Sequence, residues 1–118
     1  MTVAISCGEP AGIGPEVAAK AWASLKSDIP VLWIGDPRHL PDGTPWQAVD
    51  GPEAAPEVCA SALPVLVRDF GSGSTHGKAN SAHAAGVIDA IEVGVALAQS
   101  GRASAICTAP IHKKALAD

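Results

Sequence analysis

The residues best suited to chemistry are Cys7, Gly8, Glu9, Pro10, Ala11, Gly12, Ile13, Gly14, Pro15 and Glu16. Their glycines permit positive φ or close backbone approach, Pro15 is preset for a first helical turn, and Glu16 suits the positive end of a helix. Set between a strand and a helix, such a loop offers backbone N–H groups to an anion or a cofactor. A second stretch, Gly71-Ser72-Gly73-Ser74-Thr75-His76-Gly77-Lys78, is polar and glycine-rich. A third runs from Thr108 to Lys114, where His112 adjoins Lys113 just after a strand. An acid/base or anion-binding role suits that pair, although a surface His-Lys pair would look the same.

Each stretch meets a specific test only in part. Gly12-Ile13-Gly14 supplies two of the three glycines of a dinucleotide-binding loop, and Asp36 ends the next strand. Val17 stands at the third position and Pro15 removes a donor, so a purely structural turn stays open beside a Rossmann loop. Gly73 to Lys78 departs from a phosphate-binding P-loop at Ser72 and Ala79. It fits a surface loop whose Lys78 can still meet a phosphate. His39, His76, His83 and His112 have no short metal-ligand spacing, and His39 and His83 read as solvated helix residues. No Gly-x-Ser-x-Gly elbow supports a hydrolase. Glu9 and Glu16 read as general bases or, more simply, as helix-terminus anions. No residue is assigned a catalytic or metal-binding role on these grounds.

The elements that must position these residues alternate. Val3 to Ser6 and Val31 to Ile34 are short apolar runs suited to buried strands of a parallel sheet, and Val65 to Val67 and Ala105 to Thr108 read as the third and fourth strands. From Glu16 to Lys26 the pattern predicts a helix with Val17, Ala21 and Leu25 on one face and Ala18 and Trp22 beside them. Asp36 is placed to cap a short helix beginning at Pro37. Residues 41 to 64 carry five prolines and are the least legible; a short helix from Glu57 to Ala62 is expected, with Trp46 and Val49 against the core. Asn80 or Ser81 is placed to cap a long helix in which Ala84, Ile88, Ile91, Val95 and Ala98 trace one face. Gly86 and Gly94 within it point to close packing against a neighbour. The result is an α/β unit with a mainly parallel sheet flanked by helices. The loops that could carry chemistry gather at the carboxyl ends of its strands.

Composition narrows the partners. At 118 residues the chain suits one domain, and with one Phe, three Trp and no Tyr it offers little aromatic stacking surface. A formal charge of −4 argues against nucleic-acid and anionic-membrane partners and leaves a small molecule. Cys7, Cys59 and Cys107 form neither a disulfide framework nor a zinc knuckle and read as reduced structural thiols. No run approaches the ~18 apolar residues of a membrane span, and the N-terminus lacks a signal-peptide layout. A cytoplasmic protein is expected.

Gly8-Glu9-Pro10-Ala11-Gly12-Ile13-Gly14-Pro15-Glu16, then Gly77-Lys78 before a helix start at Ser81 to Gly86, then Thr108-Ala109-Pro110-Ile111-His112-Lys113 follow one another in a telling order. Together they resemble the first third of the 4-hydroxythreonine-4-phosphate dehydrogenase family of vitamin B6 biosynthesis. The resemblance implies NAD(P)-dependent oxidation of 4-phospho-hydroxy-L-threonine with decarboxylation to 3-amino-2-oxopropyl phosphate, assisted by a divalent metal. It also implies a fold like that of isocitrate and isopropylmalate dehydrogenases and an active site between domains at a homodimer interface. The family's Gly-His-Thr-Glu segment and its three metal-binding histidines would lie beyond Asp118, so no histidine here takes those roles. The chain is therefore expected to be a single α/β segment, residues 1–118, from the N-terminus of a two-domain enzyme and inactive alone. On this reading His112 and Lys113 line the substrate or phosphate pocket, and Glu9, Gly12 and Gly14 shape a cofactor-facing loop. Dehydrogenases of threonate or erythronate phosphates or of aromatic cis-diols, and a noncatalytic binding subdomain, are the alternatives.

Overall fold

A computed structural model of the chain describes residues 1–25, 28–71 and 83–109. Five strands form one sheet: β1 (Val3–Ser6), β2 (Val31–Gly35), β3 (Trp46–Ala48), β4 (Leu63–Val67) and β5 (Ala105–Thr108). Their order across the sheet is β3-β4-β2-β1-β5, and every pair is parallel. Among the described residues three α-helices accompany them: α1 (Gly14–Leu25), α2 (Ala55–Val58) and α3 (Ala84–Gln99). The β1-α1-β2 connection moves one way across the sheet and β4-α3-β5 moves the other. Right-handed crossovers in opposite directions put α1 and α3 on opposite faces. All strand C-termini therefore meet at one edge, as the alternation of elements implies.

The central strand β2 is buried at all five positions, with Trp33 and Ile34 fully enclosed. Residues of β1 and β2 pair in register from Val3 with Val31 to Ser6 with Ile34, and β5 pairs on the far side of β1 from Ala105 to Thr108. The four expected strands are present, β4 starting at Leu63. β3 is the strand that sequence reading missed. It is a three-residue edge strand beside β4 with every position exposed. Such a strand has no buried face to impose alternation, so Trp46, expected against the core, is 44% exposed. Val49 does pack on the core.

The helix faces differ from the expected ones. α1 buries Gly14, Pro15, Ala18 and Trp22, while Val17 points outward. The indole N–H of Trp22 donates to the Cys59 carbonyl at 2.9 Å, and this bond with the small residues below it selects the face. Trp22→Phe should cost about 1–2 kcal/mol in urea unfolding, because a buried carbonyl loses its donor. α3 buries Val87, Ala90, Gly94 and Leu97 and exposes Ile88 and Val95. That helix is apolar almost all round, so packing decides: a Cβ at Gly94 would collide with Ile106. Close packing was the expected reason for Gly86 too, where a Cβ would meet the Phe70 ring at 2.8 Å. The expected caps Asn80 and Ser81 lie outside the described residues. α2 begins at Ala55 rather than Glu57, after a 3-10 turn over Pro52–Ala54. Pro52 and Pro56 start these turns instead of breaking them, since proline is preset for a first turn.

Candidate functional site

The β1–α1 loop is built to hold its own shape. Gly8 has φ of +69°, which favours glycine. Glu9 is buried; its Oε1 accepts the Ala11 N–H at 3.2 Å and its carbonyl accepts the Gly12 N–H at 3.0 Å. The carboxylate therefore points into the loop. A Cβ on Gly14 would stand 2.5 Å from the Cys7 carbonyl oxygen and 3.1 Å from Ala109 Cβ. Gly14 thus lets the first turn of α1 press against the ends of β1 and β5. Gly12 differs, because its Cβ position has ordinary contacts, the nearest at 3.4 Å.

After β2, Asp36 caps the 3-10 turn Pro37–His39 by accepting the Arg38 N–H at 3.0 Å, as the Asp-Pro pair implies. The same carboxylate accepts the Phe70 N–H at 3.0 Å, and Arg38 Nη2 at 2.6 Å. Arg38 also reaches Asp69 at 2.9 Å, so one guanidinium ties the end of β2 to the end of β4. Burial pushes the Asp36 carboxyl up, but the hydrogen bonds from Arg38 and the Phe70 N–H outweigh it and hold it well below the usual carboxylate range. Asp36 has no oxygen left for a ribose, which removes the acid that a Rossmann-type site would need.

Between these two loops lies a cleft of about 470 Å³. Pro10, Gly12, Pro15 and Glu16 form one wall, and Arg38, Leu40, Pro41 and Asp42 the other. Its size falls within the range of small-molecule sites. Of the predicted site residues, Gly12 lines this cleft, Glu9 braces the loop from inside, and Gly14 seats the helix. His112 and Lys113 lie outside the described residues, as do His76, Lys78 and the rest of the serine-glycine loop after Gly71.

His39 and His83 are not solvated. Both are buried, their ring centroids 5.1 Å apart, with Phe70 5.2 Å from His39 and 5.9 Å from His83. Three loops at the sheet edge thereby share one aromatic cluster, whose members are too far apart in sequence for any periodicity to announce it. Cys7 and Cys59 are buried thiols; burial pushes Cys7 up to about 12, which makes it inert as a nucleophile. Among the described residues no three His, Cys, Asp or Glu side chains converge as metal ligands. No described helix is long and apolar enough to cross a membrane.

The comparisons with known proteins agree with this architecture. Residues 24–118 match the family described as pyridoxal phosphate biosynthetic protein PdxA. The chain belongs to that family. It is 57% identical over 116 residues to a 4-hydroxythreonine-4-phosphate dehydrogenase of Ruegeria sp. (strain TM1040), a match covering 98% of this chain and 36% of the relative. Crystal structures of 4-hydroxythreonine-4-phosphate dehydrogenases from Burkholderia phymatum and Klebsiella pneumoniae superpose with TM-scores of 0.86 and 0.82 at 26% and 27% identity. Each match covers 98% of this chain, and 38% and 39% of those chains respectively. The chain thus spans little more than a third of the length of these PdxA relatives, and the β1–α1 loop falls within the shared part.

Proposed function

We propose that this chain is the N-terminal part of a nicotinamide-dependent dehydrogenase that oxidises 4-phospho-hydroxy-L-threonine and decarboxylates it to 3-amino-2-oxopropyl phosphate. The observation that carries the reading is the near-complete match of the chain to PdxA-family dehydrogenases. The whole enzyme is a homodimer with an isocitrate-dehydrogenase-like fold, and it works in the cytoplasm. NAD or NADP would supply the acceptor for a hydride from the carbon that bears the substrate hydroxyl, and a divalent metal, held by residues beyond this chain, would supply polarisation of that hydroxyl oxygen as its proton leaves. This chain contributes positioning. Gly12 lets the cofactor approach the backbone beside the cleft, while Glu9 and Gly14 hold that loop against α1. His112 and Lys113 follow β5 and line the substrate pocket, Lys113 as a cation for the phosphate.

The test is an assay of the full-length enzyme with 4-phospho-hydroxy-L-threonine, a divalent cation and NAD or NADP, following reduced nicotinamide. Reduction with a threonate phosphate, an erythronate phosphate or an aromatic cis-diol, and none with phosphohydroxythreonine, would overturn the substrate assignment. In that enzyme Lys113→Ala should raise KM for the phosphorylated substrate by about tenfold or more, the worth of a hydrogen bond to a charged group. An unchanged KM would remove Lys113 from the phosphate site.

A further inference from the structure

We infer that Asp42 is a site of spontaneous covalent modification, where the side chain cyclises onto the Gly43 nitrogen and reopens as isoaspartate. The chemistry needs an aspartate followed by a residue without a Cβ, and the sequence offers two such pairs, Asp42-Gly43 and Asp50-Gly51. The Gly43 nitrogen attacks Cγ of the Asp42 carboxyl group. A C–N bond forms and one carboxyl C–O bond breaks, and that oxygen leaves as water, carrying the carboxyl proton and the amide proton. Water then reopens the succinimide ring. Attack at Cγ restores aspartate, whereas attack at the main-chain carbonyl carbon leaves the backbone running through Cβ and Cγ. No electrons are transferred and the mass is unchanged.

The fold treats the two pairs differently. Asp42 and Gly43 are both exposed in a turn closed by Thr44, whose N–H and Oγ1 donate to the Pro41 carbonyl at 3.2 and 2.7 Å. Neither bond uses the Gly43 N–H, which has no acceptor among the described residues. Gly43 has φ of +82°, as the third residue of a type II turn does, and nothing stands within 4 Å of where its Cβ would be. The nitrogen is therefore open, and the peptide has room to turn toward the Asp42 carboxyl. Around Gly51 the space is closed. That glycine is buried, its carbonyl accepts the Ala54 N–H at 3.4 Å, and the Arg102 guanidinium lies against it, held by Glu53 at 2.6 Å. Cyclisation of Asp50 must wait for this packing to open. The product at residue 42 has a structural consequence, because Asp42 lines the cleft with Arg38, Leu40 and Pro41. A longer backbone path and a displaced carboxylate reshape that wall.

The full-length enzyme is incubated at neutral pH, both native and in urea, and then digested with trypsin. The peptide 39–68 carries both pairs, and electron-transfer fragmentation tells isoaspartate from aspartate at each. In the native enzyme isoaspartate is expected to accumulate at residue 42 at least about tenfold faster than at residue 50, where a local opening comes first. In urea, with that packing gone, the two rates should fall within about threefold of each other. Asp42→Asn passes through the same ring with ammonia as the leaving group, and it should form isoaspartate faster still. Equal native rates at the two pairs, or no isoaspartate at residue 42 of the native enzyme, overturn the inference. So does an Asp42→Asn enzyme that keeps its amide intact while native but loses it in urea. A tenfold gap that persists in urea overturns the structural origin of the difference.

Discussion

Asp36→Ala is expected to lower the unfolding free energy by about 2–4 kcal/mol at pH 7, measured by urea denaturation. The carboxylate is 3% exposed and accepts the N–H groups of Arg38 and Phe70 besides the Arg38 side chain. Truncation leaves the buried Phe70 N–H without an acceptor and frees Arg38 from its main partner. The loss is smaller than the full cost of breaking a buried ion pair, because the Arg38 side chain is 49% exposed and screened by solvent. Asp36→Asn keeps an acceptor oxygen but not the charge, so about half the loss is expected.

The pH dependence has a definite sign. In the folded chain this carboxyl titrates well below its unfolded value of about 3.9, so the unfolded state binds its proton first as pH falls. Its stabilisation is complete above the unfolded value and fades as pH drops toward the folded one. The difference between wild type and Asp36→Ala should therefore be largest near neutrality and smaller by about pH 3. A difference that held constant across that range would mean that packing, not charge, is what Asp36 contributes.

Much of the frame was legible because short apolar runs bounded by turn residues favour strands, although β5, at the edge of the sheet, is largely exposed. β1 and β5 have the bounds that their sequences suggest, and the Asp36-Pro37 pair announced its own cap. What failed was the choice of helix face. In α3, residues such as Ile88 and Val95 are as apolar as the buried Val87 and Leu97, so hydropathy alone ranks no face first. The close approach of Ile106 to Gly94 decides, and that contact belongs to the assembled sheet. The histidines failed for a related reason. His39 and His83 carry the residue type of a solvated position, and only the fold brings Phe70 between the loops that hold them. Likewise the Asp36 to Phe70 bond spans 34 residues and leaves no local trace. Within the site, a glycine-rich loop was evident from sequence, but which glycine serves geometry and which faces the cleft was not.

That distinction makes a paired prediction on Gly14 and Gly12. Gly14→Ala should destabilise the chain by about 3 kcal/mol or more and lower Tm by more than about 10 °C, read by thermal unfolding. The added methyl would sit 2.5 Å from the Cys7 carbonyl oxygen, a main-chain atom fixed by the sheet, and close to Ala109, so neither neighbour can yield cheaply. Either the first turn of α1 lifts off β1 or the ends of β1 and β5 part. Gly12→Ala faces no such obstacle: its nearest neighbour stands at 3.4 Å and its φ is not in the left-handed region, so stability should change by less than about 0.5 kcal/mol. The same methyl would enter the cleft, however, and in the full-length enzyme it should raise KM for the nicotinamide cofactor while leaving Tm in place. Two neighbouring glycines thus separate the roles of the loop. A Gly12→Ala enzyme with normal cofactor KM would show that the cofactor does not approach this backbone, whereas a Gly14→Ala chain of wild-type Tm would show that α1 is not seated on β1 as described.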